Sequence, residues 1–217
     1  MVAEESDALI INGKKSAPGR MTPLSFVCAR LVYAIDKVRL LGRPDIITTH
    51  FFCGQHDTYE KSWECPSGVV NSLLAQLLTQ CRNMNDIKIE PSQGLKSHKI
   101  KKVFGYFENI IRQLPKGVTI FCVIDAISVY ANLEETEEDA EWLVLKLLRL
   151  ATRKPPKNAT FKLLLTAPNT LRLPGSDSEL EDIETLNVIE RPPKNGGVND
   201  VRWGAAIGDK LERALKK

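Results

Sequence analysis

The spacing of apolar and polar residues along the chain predicts an α/β protein. Nearly continuous apolar runs, typical of strands buried on both faces, occur at 8–11, 46–53, 118–124, 161–166 and, more weakly, 186–190. Apolar residues recur at helical spacing within 23–38, 67–81, 98–114, 136–151 and 203–214. The order β-α-β-α-α-β-α-β-β-α predicts a three-layer sandwich around a mostly parallel central sheet of about five strands.

Two threonines are predicted to begin helices. Thr22 is followed by Pro23, which suits an N-cap and the first residue of a helix. Thr136 is followed three residues later by Asp139, which approximates a capping box. The helix that begins at Thr22 therefore follows directly on the glycine-containing residues 13–19.

The two most uniform apolar runs are predicted to be adjacent central strands. Ile120 and Val123 lie in the first run, and Leu164 and Leu165 lie in the second. A run this uniform does not fit a half-exposed strand. We therefore expect all four side chains to be buried.

Length and composition fit one α/β domain with short ends. The chain of 217 residues is 43% hydrophobic and 26% charged, which is ordinary for a globular protein. We expect a polar tail at 1–7, a domain at 8–190, and a loop with a C-terminal helix at 191–217. The net charge of +3 is too small to indicate a nucleic-acid partner.

Cysteine usage and hydropathy favour an intracellular protein. The five cysteines are odd in number, and most lie in apolar or amphipathic runs, where a free thiol behaves as a small hydrophobe. Residues 1–7 have no signal-peptide pattern, and no window approaches the roughly 18 apolar residues that a membrane span needs. We therefore expect a cytoplasmic protein without a membrane span.

Residues 13–22, GKKSAPGRMT, form a candidate phosphate-binding loop between a strand and a helix. In such a loop, backbone N–H groups and a helix N-terminus bind phosphate, a lysine contacts the β/γ-phosphates, and Ser or Thr holds Mg²⁺. The segment departs from G-x4-G-K-[ST], because five residues separate its two glycines and Arg-Met replaces Lys-Ser/Thr. A simple strand-to-helix turn is the alternative. The candidate nucleotide-binding residues are Gly13, Lys14, Lys15, Ser16, Gly19, Arg20, Met21 and Thr22.

A second candidate element ends the apolar run FCVID. Asp125, at the carboxyl end of this strand, fits a Walker B carboxylate, which orients Mg²⁺ and its water. We predict that Asp125 lies within about one side-chain length of the loop at 13–22, because both must share one magnesium–phosphate centre. The alternative is that Asp125 only caps the turn after the strand.

These motifs resemble those of the NACHT-type P-loop NTPase domains of the STAND class, as they occur in filamentous fungi. The resemblance covers about residues 8–190 and rests on GKKSAPGRMT, HFFCGQ, SLLAQLL, FCVIDAISVY and FKLLLTAPNT. It implies a P-loop NTPase-like fold, ATP or GTP with Mg²⁺ as a ligand, Asp125 facing the metal, and Thr166 at the sensor position after the fourth strand. It also implies protein partners or self-association.

Three catalytic features of that family are missing. The loop lacks its Lys-Ser/Thr pair, Ala167-Pro168 replaces Ser-Arg-Pro, and Ser128-Val129 stand where a second acidic pair would activate water. We therefore assign no catalytic residue and expect a degenerate regulatory or scaffolding module with weak or no hydrolysis and weak nucleotide binding. One alternative is a protein-interaction domain that keeps the fold and binds no nucleotide. The other is an active NTPase that uses Arg20 in place of lysine.

Overall fold

The computed structural model describes residues 5–13, 22–56, 66–82, 99–171 and 183–188. Its strands are β1 (Asp7–Gly13), β2 (Ile46–Phe52), β3 (Thr119–Asp125), β4 (Thr160–Ala167) and β5 (Glu184–Val188). Its helices are α1 (Pro23–Leu40), α2 (Pro66–Gln80), α3 (Ile100–Gln113), α4 (Ser128–Ala131) and α5 (Glu137–Ala151), with a 3₁₀ turn at Cys53–Gln55. The strands and helices predicted within the described residues are confirmed, and the predicted helix at 203–214 lies outside them.

The five strands form one parallel sheet in the order β2-β3-β4-β1-β5. In the register of this sheet, Leu165 of β4 lies opposite both Ile10 of β1 and Ile124 of β3. The predicted parallel sheet is therefore confirmed. Because all strands point the same way, their carboxyl ends meet at one edge.

Helices pack on both faces of the sheet. On one face, Cys28 and Val32 of α1 pack against Val123. On the other face, α2, α3 and α5 enclose a large apolar core that includes Ile120 and Ile124. The connection from β1 to β2 crosses the sheet in one direction, and the connections from β2 to β3 and from β3 to β4 cross it in the other. Because such crossovers are right-handed, the first connection places its helix on one face and the next two place theirs on the opposite face. The three-layer sandwich is confirmed.

Burial of the two central strands matches the prediction at three of four positions. Ile120, Val123 and Leu165 are each exposed by 2% or less. The prediction for Leu164 is wrong, because this side chain is only half-buried. Leu164 lies on the face of the sheet that α1 covers, and α1 is the one helix on that face among the described residues. A groove of about 170 Å³ beside Leu31 leaves part of Leu164 uncovered.

The two predicted helix starts have different outcomes. Thr22 is the N-cap of α1 and forms a capping box with Ser25: each hydroxyl accepts a hydrogen bond from the other's backbone N–H, at 3.2 and 3.1 Å. The prediction of a capping box at Thr136 is wrong. Thr136 does precede α5, but its side chain forms no capping hydrogen bond with that helix. Its hydroxyl instead donates to the carbonyl of Tyr130 at 2.7 Å, because the short helix α4 brings that carbonyl within reach.

The cysteines within the described residues all pack inside the protein. Cys28, Cys53, Cys81 and Cys122 are free and buried, as expected for thiols that act as small apolar groups. Among the helices of the described ranges, none is both long and apolar enough to span a bilayer.

Candidate functional site

The candidate site lies at the carboxyl edge of the sheet, where β3, β4 and β1 are neighbours. Asp125 ends β3, Ala167 ends β4 and Gly13 ends β1. After β1 the chain continues to α1 on one face, whereas Leu171, after β4, belongs to the core of the other face. When the chain after one strand goes to one face of the sheet and the chain after the adjacent strand goes to the other face, a crevice forms between them. Open α/β sheets bind ligands in such crevices.

Asp125 is anchored to the neighbouring strand by Thr166. The Thr166 hydroxyl donates to Asp125 Oδ1 at 2.6 Å, and both side chains are 1% exposed. The same hydroxyl accepts from the backbone N–H of Ala126 at 3.1 Å, and the Thr166 carbonyl accepts from the N–H of Ile127 at 3.0 Å. Thr166 thus fixes both the carboxylate and the backbone that follows it.

The backbone directly after Asp125 adopts a strained conformation. Ala126 has a φ of 59°, and it is the one non-glycine residue with a positive φ in the described part of the chain. For a residue with a side chain, this left-handed region costs about 1–2 kcal/mol. Backbone strain of this kind persists only where surrounding contacts enforce it, and it clusters at functional sites. Here the two hydrogen bonds to Thr166 enforce it.

Two buried thiols show which elements lie against Asp125. Burial raises the pKa of Cys28 to about 12, and the negative charge of Asp125 contributes to the rise. Burial also raises the pKa of Cys53 well above its ordinary value, again with a contribution from Asp125. Cys28 lies in the second turn of α1, six residues after Thr22. The first turns of α1 and the turn after β2 therefore both approach the carboxylate.

Asn12 is a site residue that the sequence analysis did not identify. It is 5% exposed near the end of β1. Its Oδ1 accepts from the backbone N–H of Leu171 at 3.1 Å, and its amide nitrogen donates to Asn187 Oδ1 of β5 at 3.4 Å. A polar residue that ends an apolar strand was the available signal, as it was for Asp125. Asn12 thus ties the end of β1 to β5 and to the segment that follows β4.

Comparison with known proteins identifies the family. The model of the family described as nephrocystin 3, N-terminal, matches residues 4–167. The chain belongs to this family. A solved structure of the Aeropyrum pernix ORC2 protein in ADPNP–ADP complexes is similar over 97% of this chain, with 11% identity and a TM-score of 0.49. The match covers 46% of that protein, so this chain spans about half its length. No curated protein matches the chain significantly.

The predicted site residues of this nephrocystin 3 N-terminal domain are only partly described. The structure brings Asp125 and Thr166 together, and it places Gly13 and Thr22 at the end of β1 and the start of α1. Their position at the carboxyl edge of a parallel α/β sheet supports the region as a site. The distance between Asp125 and the loop stays a prediction. The candidates Lys14, Lys15, Ser16, Gly19, Arg20 and Met21 lie outside the described residues.

The described residues offer one carboxylate for a metal ion. No group of three His, Cys, Asp or Glu side chains comes together within the described ranges, so a cation held by protein ligands alone is not formed there. Mg²⁺ binds differently, through one or two carboxylates together with waters and substrate phosphates. Asp125 beside the Thr166 hydroxyl fits this second kind of site, in which a nucleotide supplies the remaining ligands.

Proposed function

We propose that this nephrocystin 3 N-terminal family domain is a degenerate, NACHT/STAND-like regulatory or scaffolding module that binds ATP or GTP with Mg²⁺ weakly and hydrolyses it little or not at all. The observation that supports it is Asp125, a buried carboxylate that Thr166 holds at the carboxyl edge of the sheet. β1 ends at Gly13 on this edge and α1 begins at Pro23, so the candidate loop residues follow directly on β1 in the sequence.

The charge of Asp125 supports a positively charged ligand. A carboxylate that is 1% exposed loses most of its hydration, which is costly unless a cation or several hydrogen bonds compensate. Within the described residues, no Lys or Arg forms an ion pair with Asp125. Magnesium bound to a nucleotide would supply the missing charge, with Lys14, Lys15 and Arg20 as further cations for the phosphates.

Weak hydrolysis follows from the side chains after β3. Ser128 is 2% exposed at the start of α4, and Val129 beside it is apolar, so neither can activate a water molecule. Glu134 and Glu135 are exposed in the turn before α5. If no base activates water, a bound nucleotide would remain unhydrolysed and would act as a regulatory ligand rather than as a substrate.

A thermal-shift titration tests the proposal directly. We would measure the melting temperature of the 217-residue chain with Mg²⁺ and increasing ATP, ADP, GTP or GDP. A ligand present at about 100 times its Kd stabilises the native state by about 2.7 kcal/mol. For a domain of this size, that corresponds to a rise of about 5–10 °C. No rise with any of the four nucleotides at millimolar concentration would refute nucleotide binding.

Asp125→Asn is the decisive variant in this titration. Asparagine keeps an oxygen that can accept from Thr166 but removes the charge that a magnesium–nucleotide complex would use. We expect the variant to fold and to lose the rise in melting temperature. Glu108→Gln on α3, whose ion pair with Arg112 is on the surface, is the matched control and should respond like the wild type. An equal rise for Asp125→Asn would exclude Asp125 from the site.

One observation favours the alternative of a protein-interaction domain without nucleotide. Tyr33, Leu40 and Leu41, in and directly after α1, are 60%, 75% and 67% exposed. Large apolar side chains that stay exposed are typical of contact surfaces for other proteins when they cluster. Under this alternative, the titration shows no nucleotide response, and Tyr33→Ser with Leu40→Ser lowers affinity for a partner or weakens self-association.

A further inference from the structure

Strand β2 lies at an edge of the sheet formed by the described residues. Among the described strands, β2 pairs with β3 alone, on one side. An edge strand presents free N–H and C=O groups, which can pair with a strand of another molecule. Proteins usually protect such an edge with charged residues, proline or a bulge. The sequence of β2, IITTHFF, contains no charged residue and no proline, so its protection must come from elsewhere.

Two glutamines of α2 lie against this edge and form the hydrogen bonds that a neighbouring strand would form. Gln80 Oε1 accepts from the backbone N–H of Thr48 at 3.0 Å, and Gln80 Nε2 donates to the Thr48 carbonyl at 2.7 Å. Gln76 repeats both bonds with His50, at 2.9 and 2.8 Å. Each side-chain amide thus satisfies both backbone groups of one β2 residue, as a peptide group of a neighbouring strand would.

The spacing of the two glutamines explains why a helix can do this. Residues four apart in a helix are separated by about 6.0 Å along the axis. Residues two apart in a strand are separated by about 6.6 Å. Gln76 and Gln80 therefore match His50 and Thr48, with α2 running antiparallel to β2. Bonds from Gln76 Nε2 to Ser72 Oγ at 3.0 Å and from Gln80 Nε2 to the Gln76 carbonyl at 3.2 Å fix the amides in place.

We propose that Gln76 and Gln80 close the β2 edge and so prevent this chain from pairing with a second copy of itself. A seven-residue run of β-branched and aromatic residues with low charge and no proline is typical of segments that self-associate through their backbones. Identical edges can meet around a two-fold axis, which gives a closed antiparallel dimer. Loss of the two amides frees four backbone groups of Thr48 and His50 for that pairing.

The test compares Gln76→Ala/Gln80→Ala with the wild-type chain in two measurements. At a concentration where the variant is monomeric, amide hydrogen exchange should become at least about tenfold faster at Thr48 and His50, which corresponds to one net hydrogen bond. Sedimentation velocity over a concentration series should show a dimer or larger species that increases relative to the wild type. Circular dichroism establishes that the variant is folded.

Three further variants separate the possible causes. Thr79→Ala, on the exposed side of α2, and Gln113→Ala, whose amide bonds its own helix at Asn109, should match the wild type in both measurements. Gln76→Glu/Gln80→Glu keeps oxygen acceptors for the N–H groups of Thr48 and His50, removes the donors to their carbonyls and adds negative charge at the edge. Its exchange should therefore stay slow, and it should remain unassociated. Unchanged exchange in the alanine double variant would overturn the closure of the edge. Faster exchange without association would overturn the role of a second copy.

Discussion

Replacing Thr166 with valine tests whether one hydroxyl holds the candidate site together. Valine has nearly the shape of threonine, so the change removes the hydroxyl and leaves the space filled. In the wild type, that hydroxyl donates to Asp125 Oδ1 at 2.6 Å and accepts from the N–H of Ala126 at 3.1 Å. Both hydrogen bonds are lost in the variant, and no water can easily replace them because Thr166 is 1% exposed.

The expected loss of stability can be worked out from these two bonds. A hydrogen bond to a charged group contributes about 1.5–3 kcal/mol, and a buried polar group left without a partner costs about 1–3 kcal/mol. The carboxylate of Asp125 loses a donor, and the N–H of Ala126 loses its acceptor. Allowing for overlap between neighbouring terms, we expect Thr166→Val to lower the free energy of unfolding by about 3–5 kcal/mol.

Urea titration followed by tryptophan fluorescence and far-UV circular dichroism measures this loss. Trp142 lies edge-on to Phe104 at 5.5 Å and packs against the large core, so its emission reports core packing. With an m-value of about 2–3 kcal/mol/M for a domain of this size, the midpoint should fall by about 1–2.5 M. The two signals must give the same unfolding transition for the data to be analysed as two-state unfolding.

Thr166→Ser provides the control that can refute the reasoning. Serine keeps the hydroxyl and removes one methyl group, which costs about 1 kcal/mol. If Thr166→Val unfolds within about 1 kcal/mol of the wild type, the hydrogen bonds do not hold the site. If Thr166→Ser is destabilised as much as Thr166→Val, packing rather than the hydroxyl explains the loss.

Three other changes follow from the loop, the strained residue and the buried thiol. Arg20→Lys with Met21→Thr should strengthen nucleotide binding while single-turnover phosphate release stays near background; no gain in equilibrium binding would mean that the loop backbone, rather than these side chains, is deficient. Ala126→Val should lower the urea midpoint because β-branched residues avoid positive φ, whereas Ala126→Gly should be nearly neutral; equal effects would exclude backbone strain. Because the pKa of Cys28 is raised from 9.0 to about 12, its contribution to stability is present below about pH 9 and is lost as the pH rises through about 12. Mass spectrometry should therefore find Cys28 unalkylated at pH 9 in the native protein and alkylated after unfolding; rapid native labelling would contradict this.

The strands and helices were predictable because their signals are local. The run TIFCVID in β3 is apolar for most of its length and ends at a charge, so a buried strand that stops at Asp125 follows from composition alone. The short helix α4 was not predicted, because four residues are too few to show a helical period. Its presence in turn explains why the cap expected at Thr136 failed.

The polar contacts could not be predicted because the partners are distant in sequence. Periodicity places Gln76 and Gln80 opposite the apolar face of α2, where glutamine normally faces water. Only the packing of α2 against β2 shows that they bond the strand edge instead. Likewise, Thr166 was assigned from a resemblance to a sensor position, whereas its bond to Asp125 joins residues that are 41 positions apart.

The free-energy cost of burying the Asp125 carboxylate distinguishes nucleotide binding from the alternative of a protein-interaction domain. If the domain served only as a folded surface, an uncharged side chain at this position could accept from Thr166 without losing the hydration of a charge. A buried charge without a counter-ion lowers stability, and such costs are typical of binding sites that await a ligand of opposite charge. Asp125→Asn should therefore leave the ligand-free protein as stable as the wild type or more stable, while it loses the response to magnesium and nucleotide. A strongly destabilised Asp125→Asn would mean instead that the charge itself supports the fold, through its contacts with Thr166 and the first turns of α1. In that case the carboxylate could no longer be taken as support for a ligand, and the protein-interaction alternative would be favoured.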